Sequence, residues 1–382
     1  MKKIGIICEY NPFHNGHLYH ISKIKEMFDD SLIILVMSGN FTQRGEASII
    51  PKYSKCDIAL LSGIDLVIEL PFIFATQSAD VFAKTSIEIL DKLNVDYVVF
   101  GSETNDINKL TMLAKTQINN KKYDKLVKEY LDKGVNYPTA LSKALYQLTD
   151  KKIDKPNDIL GVSYIREILK LNSNITPICI KRSNDYNSIE LNDNITSASS
   201  IRYALLNGDN VKNYVPEYVY DYLKNPIFTK NYFNLLKYKI MTENTLEEYQ
   251  TVDEGIQNRI KKCIIKSKDL DDLILKVKTK RYTYNKLSRM FIHILCNLKK
   301  EEVKKYNKIS YIRVLGFNIK GRNYLNEIKK DIDIPLITNF SRTNDPILDI
   351  EMRSTCVYAS ILNEKDKINL IESEYKDFPI IR

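Results

Sequence analysis

Short, continuous runs of apolar residues alternate with stretches of helical periodicity over the first hundred residues. The apolar runs cover residues 3–8, 32–37, 65–70 and 96–101. Helical spacing of apolar residues follows the first run, at Leu18, Ile21, Ile24 and Phe28, and returns around residues 51–63 and 78–93. Strands that are apolar throughout are typical of parallel sheets covered by helices on both faces. The pattern therefore predicts an α/β fold with a doubly wound, Rossmann-like parallel sheet.

The pattern changes in the rest of the chain. Residues 105–150 are helical and polar, and residues 175–182 form one further predicted strand. After about residue 210 the sequence is mostly helical and rich in Lys, Tyr and Asn. We therefore predict a catalytic α/β domain over residues 1–210 and a mostly helical, basic region over residues 211–382.

Positive charge is concentrated in one segment of the chain. The whole protein carries a net charge of +9, yet residues 257–330 contain 21 Lys and Arg against 6 Asp and Glu. Residues 1–256 are almost balanced, with 30 basic and 32 acidic side chains. An excess confined to one segment favours a polyanionic partner such as a nucleic acid.

Composition argues against several other classes of protein. No run of 18 apolar residues is present, so no transmembrane helix is predicted, and the short N-terminal apolar run does not make a convincing signal peptide. Six cysteines lie scattered without a CxxC pair, and the chain has four histidines. Neither a disulfide framework nor a zinc site is indicated. We expect a cytoplasmic protein with reduced thiols and no protein-bound metal centre.

Three of the four histidines fall in one stretch, YNPFHNGHLYH, over residues 10–20. This stretch follows the first predicted strand and opens the first predicted helix, where unpaired backbone N–H groups favour phosphate. His14 and His17 are three residues apart and can face one anionic group. A surface turn with a helix cap is the alternative interpretation, but an HxGH motif at the end of the first strand is typical of the nucleotidyltransferase superfamily.

A second phosphate-binding motif is predicted in ITSASSIRYAL, over residues 195–205. Hydroxyl groups precede an apolar helical run, and Arg202 lies near its start. Ser199, Ser200 and Arg202 are suited to hold the distal phosphates of ATP. Alone the motif is also an ordinary helix cap; the upstream HxGH motif favours the functional interpretation.

A group of motifs resembles the tRNA(Met) cytidine acetate ligase family more closely than HxGH alone does. In order along the chain they are GIICEYNPFHNGHLYHI, VMSGNFTQRGE, SGIDLVIELPF, FGSE, PNDILG, TSASSIR and YIRVLGFN. The resemblance implies an enzyme that uses ATP and acetate to form acetyl-adenylate. The acetyl group then passes to N4 of the wobble cytidine of elongator tRNA(Met), which gives N4-acetylcytidine.

The resemblance also implies which residues form the site. From the mechanism itself, we assign the stabilisation of charge at the α-phosphate to His14 and His17 and assistance at the pyrophosphate to Arg202, and we expect Mg²⁺ on the phosphates, as for most ATP chemistry. Ser199 and Ser200 are predicted to bind the phosphates of ATP. Asp158 follows Asn157 at a position where the family is expected to have a second Asn, so the sequence leaves open which of these two residues contacts the nucleotide. The remaining ATP contacts are Ile7, Cys8, Glu9, Tyr10, Asn11, Pro12, Phe13, His14, Asn15, Gly16, His17, Leu18, Tyr19, His20, Gly101, Asn157 and Arg182.

The basic segment interleaves cations with tyrosines, most clearly over residues 276–290. Phosphate pairing combined with ring stacking is how proteins hold unpaired RNA bases. We predict tRNA contacts at Lys278, Lys280, Arg281, Tyr282, Tyr284 and Arg289. A solvated helix face with tyrosines in the core is the alternative.

Two other functions share parts of this pattern. An adenylyltransferase of cofactor biosynthesis, acting on a small phosphate-bearing substrate, would use HxGH but would not need the basic segment. A catalytically idle RNA-binding protein would keep the basic segment without the chemistry.

Overall fold

The computed structural model describes residues 1–182, 196–376 and 379–382. Its strands are β1 (Lys2–Cys8), β2 (Ser31–Ser38), β3 (Leu66–Leu70), β4 (Tyr97–Ser102), β5 (Thr176–Lys181), β6 (Ile312–Phe317), β7 (Leu336–Ile337) and β8 (Ile380–Ile381). Its α-helices are α1 (Asn15–Met27), α2 (Lys52–Leu61), α3 (Phe72–Ala75), α4 (Ala79–Lys92), α5 (Ile107–Asn119), α6 (Lys122–Asp132), α7 (Tyr137–Thr149), α8 (Pro156–Leu171), α9 (Ala198–Asn207), α10 (Glu217–Tyr220), α11 (Phe233–Thr242), α12 (Ile256–Ile265), α13 (Leu270–Val277), α14 (Tyr284–Leu295), α15 (Lys300–Lys305), α16 (Ile319–Ile328), α17 (Pro346–Ala359) and α18 (Glu364–Ser373). Short 3₁₀ turns join several of the later helices.

The strands form one sheet in the order β5-β4-β1-β2-β3-β6-β7, with β8 beside β6. Strands β1 to β5 are mutually parallel, which confirms the predicted doubly wound arrangement. Strand β6 pairs antiparallel with β3, and strands β7 and β8 pair parallel with β6. The sheet is therefore mixed, with a parallel majority.

Alternate residues of the central strands enter two different cores, which is why these strands are apolar throughout. In β2, Leu32, Ile34 and Val36 face one core, while Ile33, Leu35 and Met37 face the other. Helices α1, α2 and α9 cover the second core, and α4, α5 and α8 cover the first. The first core extends into helices α11 to α14 of the C-terminal region.

The C-terminal region is mostly helical, as predicted, but it also completes the sheet. Strands β6, β7 and β8 come from residues beyond 210, so both parts of the chain share one sheet. Within the described ranges, no helix combines the length and apolar character that a membrane span requires.

A buried ionic network fastens β6 to the sheet. Arg313 of β6 pairs directly with Glu69 of β3, at 2.8 Å, and with Glu374, which follows α18, at 2.6 Å. Lys52, the first residue of α2, contacts the same two carboxylates at 2.6 and 2.7 Å. Glu351 of α17 lies 3.5 Å from Lys52. All five side chains are at most 1% exposed.

The pKa values of two carboxyl groups in the network, Glu374 and Glu351, are shifted in opposite directions. Burial would raise the pKa of Glu374, but Arg313 and Lys52 hold it at about 2. Burial, and then the neighbouring Glu69, raise the pKa of Glu351 to about 8. Lys52 and Arg313 have Glu69 and Glu374 as their nearest carboxylates, while Glu351 lies further from Lys52 and accepts the backbone N–H of Phe72.

Candidate active site

A pocket opens at the carboxyl edge of the sheet, between β1 and β4. Ligands of open α/β sheets bind at this edge, where the strand order reverses. The residues that line it are Ile6, Ile7, Cys8, His14, Gly16, His17, Tyr19, His20, Phe100, Gly101, Asn157, Leu160, Tyr164, Ile180, Lys181, Arg182 and Thr196.

His14 and His17 stack at the start of α1. His14 is the N-cap residue, and its Nδ1 accepts the backbone N–H of Gly16 at 3.0 Å. The backbone N–H of His14 in turn donates to Nδ1 of His17 at 3.2 Å. The ring centroids lie 3.8 Å apart. Because each Nδ1 accepts a hydrogen bond, the proton of each neutral ring is on Nε2, which leaves two Nε2–H donors for a ligand.

All three histidines of the motif are held in the neutral form. Burial, reinforced by Arg182 and Arg202, lowers the pKa of His14 to about 3. Burial and the adjacent His14 lower the pKa of His17 well below its usual value. Burial and Arg182 lower the pKa of His20 to about 4. An anionic ligand opposes these shifts, since it favours the protonated rings.

Several residues of the predicted ATP block support the loop rather than line the pocket. The rings of Tyr10 and Phe13 pack against His17, at centroid distances of 4.8 and 5.5 Å. Asn11 Oδ1 accepts the backbone N–H of Ile49 at 2.8 Å. Pro12 is buried beside them. Asn15 donates to the carbonyl of Asn213, and Leu18 is exposed.

The opposite wall of the pocket comes from β4, β5 and α8. A side chain at Gly101 would meet Cγ of Arg182 at 3.1 Å, so glycine lets Arg182 cross the end of β4. The buried Nε atom of Arg182 has no hydrogen-bond partner among the described residues. Arg182 therefore retains a buried donor near a pocket suited to phosphate.

Asn157 faces the pocket, whereas Asp158 does not. Asn157 lines the pocket and donates to Glu103 Oε1 at 2.7 Å. Asp158 is buried, and its Oδ1 accepts hydrogen bonds from Ser102 Oγ and from the backbone N–H groups of Glu103 and Thr104. The carboxylate at this position thus caps the turn after β4.

The Ser-rich motif begins helix α9, as its pattern predicts. Ile195, its first residue, lies outside the described residues. Ser197 is the N-cap and accepts the backbone N–H of Ser200 at 3.1 Å; the two hydroxyls are 2.8 Å apart. Ser200 is fully buried and Ser199 half-buried. Of this motif, Thr196 lines the pocket.

Arg202 connects α9 to the HxGH loop. It donates to the carbonyl of Asn11 at 2.7 Å and to Ser199 Oγ at 3.3 Å, and it forms an ion pair with Glu46 at 2.9 Å. Arg202 also contributes to the low pKa of His14. It is therefore near the histidine pair but held by Glu46 in this structure.

Sequence reasoning missed a set of lining residues on the β4, β5 and α8 side. Leu160 and Tyr164 follow Asn157 at helical spacing on α8, so one helix face carries all three. That spacing was a usable signal. Phe100, Ile180 and Lys181 of β4 and β5, and Ile6 of β1, were also missed, because their positions depend on strand pairing.

The predicted tRNA contacts separate into two groups. Lys278, Lys280 and Arg281 are exposed, with Arg281 paired to Glu254 at 3.0 Å. Tyr284 is 37% exposed and donates to Asp271. Tyr282 is 4% exposed and donates to the carbonyl of Asp253, so its ring is not an open stacking surface. Arg289 is half-buried and donates to the carbonyl of Gln43 at 3.2 Å.

The fold, the edge pocket and the histidine pair together define a nucleotidyltransferase of the HIGH type. The family model described as HIGH Nucleotidyl Transferase matches residues 1–373. A tRNA(Met) cytidine acetate ligase of Anoxybacillus flavithermus is 40% identical over 400 residues and is covered completely by the alignment, as is this chain. One of Clostridium perfringens is also 40% identical, over 405 residues, with both chains fully covered.

Solved structures give the same result. The apo crystal structure of Thermotoga maritima TmcAL superposes with a TM-score of 0.92 at 33% identity, covering 100% of this chain and 99% of that one. The crystal structure of the same protein bound with alpha-thio ATP gives 0.89, again at 33% identity and with the same coverage. This chain belongs to the tRNA(Met) cytidine acetate ligase family, which confirms the resemblance of its motifs.

Proposed function

We propose that this protein activates acetate with ATP and transfers the acetyl group to N4 of the wobble cytidine of elongator tRNA(Met). The observation that carries the proposal is the stacked His14–His17 pair, which presents two Nε2–H donors where the carboxyl-edge pocket begins. The family names of its relatives and the nucleotide-bound T. maritima structure support the same chemistry. Because its tRNA substrate is found in the cytoplasm, we expect the enzyme to act there.

The first step joins acetate to the α-phosphate. An acetate oxygen attacks the α-phosphorus of ATP, pyrophosphate leaves, and acetyl-adenylate results. Negative charge grows on the α-phosphate oxygens as the new bond forms, and neutral N–H donors fixed in place stabilise that charge without reorganisation. His14 and His17 have this role, and Arg202 assists at the departing pyrophosphate once ATP competes with Glu46 for its guanidinium.

ATP enters as its magnesium complex. None of the residues that line the pocket is Asp or Glu, and the described residues contain no group of three or more His, Cys, Asp or Glu side chains that could hold a metal ion. This chemistry fits Mg²⁺ carried on the phosphates and mostly hydrated, as is usual for nucleotide substrates.

The second step uses the exocyclic amine of cytidine. The amine attacks the acetyl carbon, and AMP leaves with the bonding electrons. An acetyl-adenylate must persist until tRNA binds, so partial closure of the pocket against water is part of the function.

The test is acetate-dependent exchange of labelled pyrophosphate into ATP, followed by mass spectrometry of tRNA nucleosides after incubation with ATP and labelled acetate. We expect exchange when acetate is present and label in N4-acetylcytidine. Exchange without acetate would favour the cofactor-type adenylyltransferase. Absence of exchange under all conditions, with tRNA binding retained, would favour the idle RNA-binding protein.

We also propose that the two parts of the chain on either side of about residue 210 have different functions. Residues 1–210 carry the acyl-adenylate chemistry, and the basic segment within residues 211–382 binds tRNA. The exposed cations Lys278, Lys280 and Arg281 lie between α13 and α14 and are the centre of the proposed tRNA surface.

Neutralising Lys278, Lys280 and Arg281 together to Gln is expected to weaken tRNA binding and acetyl transfer. Acetate-dependent exchange should remain close to that of the wild type. Because each phosphate contact to a single strand contributes about 0.7 to the log–log salt slope, three lost contacts should flatten that slope by about two. Binding measured over a salt series gives the slope directly.

A matched variant controls for net charge. Lys121, Lys122 and Lys125 are also exposed and lie on or beside α6, outside the basic segment. Their replacement by Gln should change the slope much less. Equal slopes for both triple variants would mean that the basic segment only solubilises the helical region.

A further inference from the structure

The two sides of the HxGH motif along the sheet edge differ. Gly101, Asn157 and Arg182 form the pocket wall on the β4 and β5 side of β1. On the other side of β1 lies β2, followed by residues 39–50, which we call the β2 loop. With Gly101, Asn157 and Arg182 on the first side, the β2-loop side of β1 is the side left for the acetyl group and the incoming amine.

The β2 loop connects this side of the pocket with the basic region. Ser288 of α14 donates to the carbonyl of Gly45 at 2.7 Å, and Arg289 donates to that of Gln43 at 3.2 Å. Gly45 has a φ of +77°, and a side chain there would lie 2.2 Å from the backbone nitrogen of Arg289. An RNA bound along α14 therefore lies next to the β2 loop.

Glu9 lies at the junction of β1 and the β2 loop. Its Oε1 accepts the backbone N–H of Gln43 at 2.6 Å and Ser38 Oγ at 3.3 Å, so the carboxylate has a fixed orientation. Lys55 binds the carbonyls of Glu9, Ser38 and Gly39 at 2.7 to 3.1 Å and locks both strand ends together. Glu9 is half-buried, and although it is not itself among the residues that line the pocket, it directly follows Cys8, which is.

The other carboxylate of this side, Glu46, is committed to Arg202 at 2.9 Å. Burial raises the pKa of Glu9, which makes its carboxylate a stronger proton acceptor near neutral pH. Lys55, whose pKa burial lowers to about 7, faces the same carboxylate. The charged and titratable groups around Glu9 are Cys8 from β1, Arg44 and Glu46 from the β2 loop, Lys55 from α2 and Tyr164 from α8.

We propose that the Glu9 carboxylate is the general base of the acetyl-transfer step, a role that rests on the proposed function. As the cytidine N4 atom forms its bond to the acetyl carbon, the C–O bond to AMP breaks and AMP takes the electron pair. The proton lost from N4 passes to the carboxylate and then to water. The step changes no oxidation state and needs no oxidant or reductant.

The experiment separates the two half-reactions in the full-length protein. Synthetic acetyl-adenylate and tRNA are mixed with enzyme to measure transfer alone, and acetate-dependent pyrophosphate exchange measures activation. Glu9→Gln keeps an oxygen that can accept from Gln43 and Ser38 but cannot take a proton. Because general bases typically contribute about 10²–10⁴-fold, we expect at least a hundredfold loss of transfer. The loss of exchange should be at least tenfold smaller than the loss of transfer.

The pH profile gives a second measurement. Transfer by the wild type should rise with pH along a limb that the Glu9→Gln variant lacks. Ser38→Ala removes one hydrogen bond to the same carboxylate oxygen without removing the base, and should preserve the limb. Transfer within threefold of the wild type in Glu9→Gln, or equal losses of both half-reactions, would overturn the proposal and leave Glu9 as a tie of the β2 loop. If the wild type itself cannot use acetyl-adenylate, the proposed function fails, whatever Glu9 does.

Discussion

His14→Ala and His17→Ala are each expected to lower acetate-dependent pyrophosphate exchange by two to three orders of magnitude. Each change removes one Nε2–H donor from the growing charge at the α-phosphate, and one such donor is typically worth about 10²–10³ in rate. Exchange measured at saturating ATP and acetate reports this loss directly. His14 also caps α1, so its replacement should cost about 1 kcal/mol of stability, to be followed by thermal melting.

His20→Ala is the matched comparison for these variants. His20 lines the same pocket, but it lies one helical turn further along α1, away from the stacked pair. We expect its loss to reduce exchange much less. A variant at His20 that proved more damaging than those at His14 and His17 would place the α-phosphate further along α1 than we propose.

The sequence predicted the sheet where the signal was local. Strands β1 to β5 are apolar runs followed by turns, and their boundaries fall within a few residues of the predicted ones. Strand β6 was missed, although IRVLGF is mostly apolar, because it stands alone among basic helices and pairs with a strand far away in the chain. A single short apolar run that is not part of a strand–helix alternation does not predict which strand it pairs with.

The residues of the site could likewise be predicted where the signal was local and not where it depended on the fold. The HxGH motif is local, so its place at the start of α1 could be predicted, whereas the tautomers of its rings depend on backbone N–H groups fixed by the fold. Composition could not tell which members of the basic segment face solvent. Tyr282 turns inward beneath Lys286, whose Nζ lies 4.0 Å from the ring centroid, while Arg289 is used to hold the β2 loop.

Arg313→Met is expected to destabilise the protein by about 3–5 kcal/mol, because removal of one partner of a buried ion pair leaves uncompensated charge. Arg313 is fully buried between Glu69 and Glu374, and its guanidinium stacks 4.3 Å above the ring of Phe340. Chemical denaturation at neutral pH gives the free energy of unfolding. Arg322→Met on the exposed face of α16 is the control, and a surface change of this kind should stay within about 0.5 kcal/mol of the wild type.

The electrostatic origin of that loss can be separated from lost packing. In the wild type, Glu374 has a pKa of about 2, so its contribution to stability is present above the pKa of the unfolded chain, about 4.3, and is lost as pH falls towards 2. Without Arg313 the pKa of Glu374 rises, and protonation relieves the uncompensated charge. The difference in the free energy of unfolding between variant and wild type should therefore shrink as pH falls from 7 towards 4.

The double variant Arg313→Met/Glu374→Gln should recover part of the loss of stability at pH 7, because a buried pair removed together costs less than one partner removed alone. A pH-independent difference, or a double variant less stable than Arg313→Met, would show that Arg313 acts through packing against Phe340 rather than through its charge.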